Sequence, residues 1–343
     1  MAAKPCQSGR ANGAGVWPSA AGGPGLRSGM ALPNPSSRAY LQLGAAVVLL
    51  GGAWPLTRWA VLDGAGSAWF ALGRAGFSGL VGLAFVAATG RLRWPGRRDM
   101  PALLALGVLQ LAAFFALSHA AVAWVGAGRT AVLANAVLVP AVPLSVLVLG
   151  EHVSPSRWIA CGLGLLGILV LCGPWAIDWS APRVLAGHAL LLGAATAWAA
   201  AITIIRRWPP RLSMLALLPW AFAIASVLLL PGALSHPVGT WTAASLGALA
   251  AVGLVAGPIG SWCVMQAQQT LPVAIASIGF LLTPALGVVL SAVLLHEVVG
   301  WDMVAGAVFI LGGAAVAFWS GRPGLRRPGL WRRGLRRPGL GGR

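Results

Sequence analysis

Ten runs of about 20 mostly apolar residues follow one another through this chain, and that repetition limits its fold more than any other feature of the sequence. They lie near 41 to 62, 67 to 88, 101 to 121, 130 to 149, 157 to 176, 185 to 205, 213 to 233, 243 to 265, 273 to 295 and 301 to 320. As helices rising about 1.5 Å per residue, such runs are long enough to cross a hydrocarbon core of roughly 30 Å. Composition agrees: 58% of the residues are hydrophobic and 9% charged. A soluble domain is roughly one quarter charged, so this chain cannot cover a water-facing surface. The expected fold class is an all-α integral membrane protein with ten transmembrane helices.

The separators are short and carry helix breakers: Gly-Arg-Leu-Arg-Trp-Pro-Gly-Arg-Arg at 90 to 98, Ser-Pro-Ser at 154 to 156, Pro209-Pro210 and Gly-Trp-Asp at 300 to 302. They also hold the cations. With the N-terminus inside, Arg91, Arg93, Arg97, Arg98, Arg157, Arg206, Arg207 and Arg211 fall in inner loops, whereas the outer loops hold only Arg129 and Arg183. That asymmetry predicts two cytoplasmic termini and a multi-pass protein of the cell (plasma or inner) membrane. It also accounts for the net charge of +18 without a nucleic-acid partner.

Residues 1 to 39 are rich in Gly, Pro, Ala and Ser, lack an apolar segment of signal-peptide length, and read as a disordered cytoplasmic lead-in. Met30 stands about ten residues before the first span and offers an alternative translation start. Residues 321 to 343 repeat Arg-Pro-Gly-Leu and read as a disordered basic tail, suited either to anionic headgroups of the bilayer or to plain solvation. A homodimer is a further candidate assembly.

An internal repeat organises what lies between. Glu151 in LGEHVSPSRW and Glu297 in LHEVVGWDMV are 146 residues apart, and superposing them aligns Val153 with Val299, Leu165 with Leu311, Gly167 with Gly313, Val170 with Val316 and Ala160 with Gly306. Each copy, 40 to 176 and 185 to 320, holds five spans. An odd number makes the second copy enter the membrane upside down, the arrangement of inverted-topology transporters. The pairs Ala160 with Gly167 and Gly306 with Gly313 are each two helical turns apart, placing small residues on one face of spans five and ten for close packing.

The runs GAGRTAVLANAVLVP through LGEHVSPSRWIACGLGLLGILVL, and PVAIASIGFLLTPALGVVLSAVLLHEVVGWDMVAGAVFILGGAAVAF, resemble the two EamA domains of the drug/metabolite transporter superfamily. GGAWPLTRWAV is similar to that family's first span, which ends in a basic residue, and ALGRAGFSGL to its second, which carries an arginine. The resemblance covers roughly 40 to 320. It implies a secondary transporter of small molecules, with export as the direction. Three positions depart from the pattern: Pro140 lies 11 residues before Glu151 where Pro284 lies 13 before Glu297, Leu50 stands where tryptophan is frequent, and His296 replaces a glycine.

Arg74, well inside span two, is expected to face a cavity or an ionic partner such as Asp63, because an unpaired charge at that depth costs at least about 2 kcal/mol. Arg58 lies near a span end, where it either snorkels or joins Arg74 in binding a substrate carboxylate. Gln110, Asn135, Gln266 and Thr283 are polar positions within spans and line either the pathway or helix contacts. Glu151 and Glu297 are expected at helix junctions, each capping the helix that follows it or serving as a gate. Pro140, Pro143, Pro258 and Pro284 would loosen helices near mid-membrane.

Other chemistries have less to stand on. Gly76-Phe77-Ser78-Gly79 matches a G-x-S-G motif of intramembrane serine proteases, with His119 or His188 as an imaginable base, but that short pattern is weak. The four cysteines form no C-x-x-C, the five histidines are scattered, and no nucleotide-binding loop is present, so neither metal nor other cofactor is expected. The resulting expectation is a non-enzymatic secondary transporter, an exporter of a small polar metabolite such as an amino acid. An importer of the same fold and a serine protease using Ser78 are the alternatives.

Overall fold

The computed structural model describes residues 37–271 and 273–320, so the lead-in before Ser37 and the basic tail lie outside the described residues. Apart from one isolated β-bridge between Ala65 and Gly239, the regular structure described is helical. In chain order the helices are α1 (Ser37–Leu62), α2 (Ser67–Ala88), α3 (Met100–Leu104), α4 (Phe114–Val122), α5 (Ala127–Ala134), α6 (Leu138–Leu149), α7 (Pro155–Leu171), α8 (Pro182–Arg207), α9 (Met214–Leu234), α10 (Ala243–Ala250), α11 (Gly257–Thr270), α12 (Val273–Leu295) and α13 (Trp301–Ser320). Two π-helical segments, Ala105–Ala113 and Ala251–Ala256, join α3 to α4 and α10 to α11. Among the described residues, seven helices are long and apolar enough to cross a membrane, and three apolar helices, Pro155–Leu171, Gly279–Leu295 and Trp301–Ala317, are shorter. Large apolar side chains such as Leu147, Val293 and Val308 are left outward-facing, as a lipid-facing surface requires.

The helix boundaries follow local chemistry. The expected fifth span ran to 176, but α7 stops at Leu171 because its last carbonyls find other donors: Trp175 Nε1 bonds Val170 O at 3.0 Å, Arg129 Nη1 bonds Leu171 O at 2.8 Å and Trp179 Nε1 bonds Cys172 O at 3.2 Å. The expected fourth span is broken at residues 135–137, between α5 and α6. Pro140 has no N–H for the carbonyl of Ala136, which takes that of Val139 instead at 3.1 Å. Pro143 leaves the Val139 carbonyl without its helical donor, and Cys161 Sγ points at it from 3.4 Å. In the second half, Pro284 alone leaves α12 continuous.

Helix packing repeats the sequence repeat in space. A Cβ added to Gly167 would lie 2.7 Å from Gly306 O, and one added to Gly313 would lie 2.5 Å from Ala160 O. Each residue thus meets the counterpart of the other's partner, as a two-fold relation demands, and α7 runs antiparallel to α13. The small residues expected on one face of spans five and ten therefore pack against each other. The same reading holds for α2 and α9: Gly76 approaches Ser226, Gly79 approaches Phe222 and Gly82 approaches Pro219, again antiparallel. The π-helical segments begin at Ala105 and Ala251, separated by the 146 residues that separate Glu151 from Glu297. Gly107, in the first, fits against Ile224 of α9, and its counterpart Gly253 fits against Phe77 of α2. With lipid as apolar as leucine, this close backbone approach is what holds such helices together.

Candidate functional site

Arg74 is the eighth residue of α2 and only 8% exposed. Its guanidinium carbon stands 4.6 Å from the centroid of Phe115 in α4, a cation–π contact, while its Nε and Nη1 have no hydrogen-bond partner among the described residues. The pairing with Asp63 is not formed, because Asp63 instead accepts from the hydroxyl of Thr242 across the loop ends. One turn beyond Phe115 lies His119, with no exposed surface. Its ring is held among Phe70, Trp54 and Phe115 at centroid distances of 6.0, 6.5 and 5.6 Å. Its Nδ1 lies 2.9 Å from Phe115 O and 3.5 Å from Ser118 Oγ, and its Nε2 has no partner among the described residues.

Arg58 reaches the same helix, donating from Nη1 to Val122 O, with its Nε buried and unpartnered. Thr283 on α12 is a buried hydroxyl without a partner among the described residues. The structure therefore brings Arg58 and Arg74 to α4 within about two turns of each other. Buried polar atoms without partners are costly and rare in a native fold. Each of the two cations keeps at least one buried N–H group without a partner among the described residues, and guanidinium groups are suited to pairing with anions such as carboxylates. Sequence reading considered His119 only as a protease base. The signal for this other placement is a ring whose partners come from α1, α2 and α4, and it exists only in three dimensions.

No described hydrogen bond links Thr283 or the remaining expected pathway residues to the two arginines. Asn135 is exposed at the end of α5 and bonds Ala131 O of its own helix at 2.7 Å. Gln110 is half-buried in the first π-helical segment, and Gln266 is half-buried on α11. Pro284 follows Thr283 within α12, and Pro140 sits in the first turn of α6.

The two glutamates occupy different arrangements. Glu297 accepts the N–H of Ala127 at 2.7 Å through Oε1 and that of Gly128 at 3.0 Å through Oε2. It therefore caps α5, in the other half of the chain, and not α13, the helix after it. Gly126 makes room, since a Cβ there would lie 3.0 Å from Oε2. Arg129 extends this junction with a 2.6 Å ion pair to Asp302 at the start of α13. Glu151 instead pairs with Arg206 at the end of α8, at 2.6 Å, and its Oε2 is unpartnered among the described residues. No bond to the helix it precedes is formed.

Ser78 is buried and donates to Gly253 O at 2.8 Å. The reason is legible in the π-helix. Gly257 N–H bonds Val252 O, five residues back, so the next bond in that register would run from residue 258 to Gly253 O. Residue 258 is a proline, and the serine hydroxyl replaces the missing donor. The histidines considered as its base both turn Nδ1 to their own helices, to Phe115 O and Val184 O.

The comparisons with known proteins follow the same outline. The model of the EamA-like transporter family matches residues 37–173 and again 185–319. A solved chain titled only as the crystal structure of a protein is 22% identical, with a TM-score of 0.57, and the match covers 82% of this chain and 96% of that one, which shows a shared fold. A search of curated proteins returns no match. With both halves matched, this chain belongs to the EamA-like transporter family, as a multi-pass membrane protein.

Proposed function

We propose that this protein is a secondary transporter that exports a small polar metabolite, such as an amino acid, by alternating access between two inverted five-helix halves. In this reading the chain crosses the membrane ten times, the three shorter apolar helices included, and both termini are cytoplasmic. The observation that carries it is Arg74: a guanidinium inside the bundle with two nitrogens lacking partners. A charge so placed costs at least about 2 kcal/mol and is kept where an anionic ligand pairs with it. The antiparallel packing of α7 on α13 and α2 on α9, with the matched π-helical segments, supports halves that rock about a common site. Arg58 and Thr283 belong to the same pathway, and Glu151 and Glu297 act as junctions that open and close with it.

Counterflow of labelled amino acids into liposomes containing the purified protein tests the proposal. Uptake is expected for the wild type and lost in Arg74→Ala, with the size-exclusion profile of the protein unchanged. Normal counterflow by Arg74→Ala overturns the reading. So does Ser78-dependent hydrolysis of a transmembrane peptide in place of transport.

A further inference from the structure

We propose that His119 is a specificity-determining residue, which admits a carboxylate substrate only when that substrate also carries a hydrogen-bond donor, such as an ammonium group. The inference rests on the reading of Arg74 as the carboxylate site and adds the second half of the recognition.

It starts from the tautomer. His119 Nδ1 lies 2.9 Å from the carbonyl oxygen of Phe115 and 3.5 Å from Ser118 Oγ, whose own hydrogen goes to Phe114 O. A carbonyl only accepts, so Nδ1 must carry the hydrogen, and the neutral ring then presents a bare lone pair at Nε2. That atom has no partner among the described residues, and the residue has no exposed surface. No donor among the described residues bonds it: Phe70 and Phe115 have no polar side-chain atom, and neither Trp54 nor Ser118 reaches Nε2 with a hydrogen bond.

Phe115 lies between the His119 ring and Arg74: the guanidinium carbon stands 4.6 Å from its ring centroid and the imidazole 5.6 Å from it. Arg74 offers only donors and His119 only an acceptor. They are not bonded to each other. A ligand that satisfies both must bring an acceptor to Arg74 and a donor to His119, as a zwitterionic amino acid does with its carboxylate and ammonium. A carboxylate without the donor leaves the Nε2 lone pair desolvated and unpaired, the situation in which binding sites discriminate most strongly between otherwise similar ligands.

His188 supplies a contrast. Its Nδ1 is held in the same way, by Val184 O at 2.7 Å, and its Nε2 also lacks a partner among the described residues, but it lies on α8 and no ring contact is described between it and the Arg74 group. Substitution there should not alter the preference.

The twenty common L-amino acids are first tested one by one for binding to the purified protein in nanodiscs, and the tightest is then compared with its des-amino carboxylate. The wild type is expected to prefer the amino acid by at least about tenfold. His119→Leu, of similar volume but without the acceptor, should weaken the amino acid about tenfold and leave the des-amino acid unchanged, abolishing the preference. His119→Gln, which retains an accepting oxygen, should restore part of it, and His188→Leu should leave it intact. If no amino acid binds the wild type, or Arg74→Ala binds normally, the transport reading fails and this inference with it. If amino acids bind through Arg74 but the preference survives His119→Leu, or both ligands weaken equally in it, only the role of His119 is overturned. A wild type that binds both ligands equally, as it would if a water molecule bridged Nε2 for any substrate, overturns it too. Should His119→Leu not fold, His119→Gln and His119→Asn carry the comparison, and an undiminished preference in His119→Asn with weakened binding of both ligands counts against the proposal.

Discussion

The carboxylate of Glu297 and the backbone of Ala127, 170 residues apart in the chain, are joined by a 2.7 Å hydrogen bond that places the end of α12 on the beginning of α5. Gly128 supplies the second N–H. The arrangement gives two of the free donors at a helix start a charged acceptor from the other half. Glu297→Gln keeps the size but loses the charge and one acceptor. It should destabilise the protein by about 1–2 kcal/mol, as helix-cap losses do, and hydrogen exchange should quicken at residues 127–130. Unchanged thermal unfolding in detergent and unchanged exchange would refute the clamp.

Arg74 predicts a trade between stability and activity. Its buried, unpaired guanidinium opposes folding, so Arg74→Met should raise the Tm, corresponding to a gain of about 1–3 kcal/mol, while counterflow disappears. A lower Tm in Arg74→Met would mean that the arginine has a structural partner after all.

Ser78→Ala removes the only hydrogen bond described for the Gly253 carbonyl from a side chain and leaves that oxygen buried. A cost of about 1–3 kcal/mol is expected, read as a lower Tm, and exchange should increase around residues 251–258. A protein as stable as the wild type would show that the π-helical segment needs no external donor.

The contact of α7 with α13 is tested by contrast within one helix. A Cβ on Gly167 collides with Gly306 O, whereas one on Gly162 meets nothing within 4 Å. Gly167→Val should cost about 1–3 kcal/mol through overpacking, and Gly162→Ala should be neutral or gain up to about 1 kcal/mol from helix propensity. Equal Tm values for the two variants would contradict the packing.

Asp99 gives the pH dependence. It lies outside the membrane-spanning helices, and the backbone N–H groups of Leu212, Gly96 and Arg211, together with the Arg211 charge, hold its carboxyl below the ordinary carboxylate range. A depressed folded value means stability that is fully present above the unfolded carboxylate pKa and lost as pH falls through the folded one. Asp99→Asn should therefore lower the Tm at neutral pH, with the difference from wild type shrinking in acid. A difference independent of pH would remove the charge from the explanation.

How much of this was legible in advance depends on the range of each interaction. The apolar spans were readable because length and hydrophobicity are local properties: α2, α12 and α13 begin and end at the residues expected. The repeat was readable as well, since a 146-residue offset needs only the sequence, and the small residues Ala160, Gly167, Gly306 and Gly313 marked the contact face. The candidate arginines were visible because a charge in an apolar run is conspicuous.

What those residues touch was decided elsewhere. Glu297 caps α5 instead of its own neighbour, Arg129 leaves its expected loop role to pair with Asp302, and Asp63 turns to Thr242 instead of Arg74. Ser78 serves a carbonyl freed by Pro258 on a helix more than 170 residues away. The sequence by itself determined where apolar segments lie, their repetition and the charge within them, because each is a property of the chain read along its length. Tertiary structure alone decided which donor meets which acceptor, because hydrogen bonds act over about 3 Å and only the packing of the two halves brings such distant residues that close.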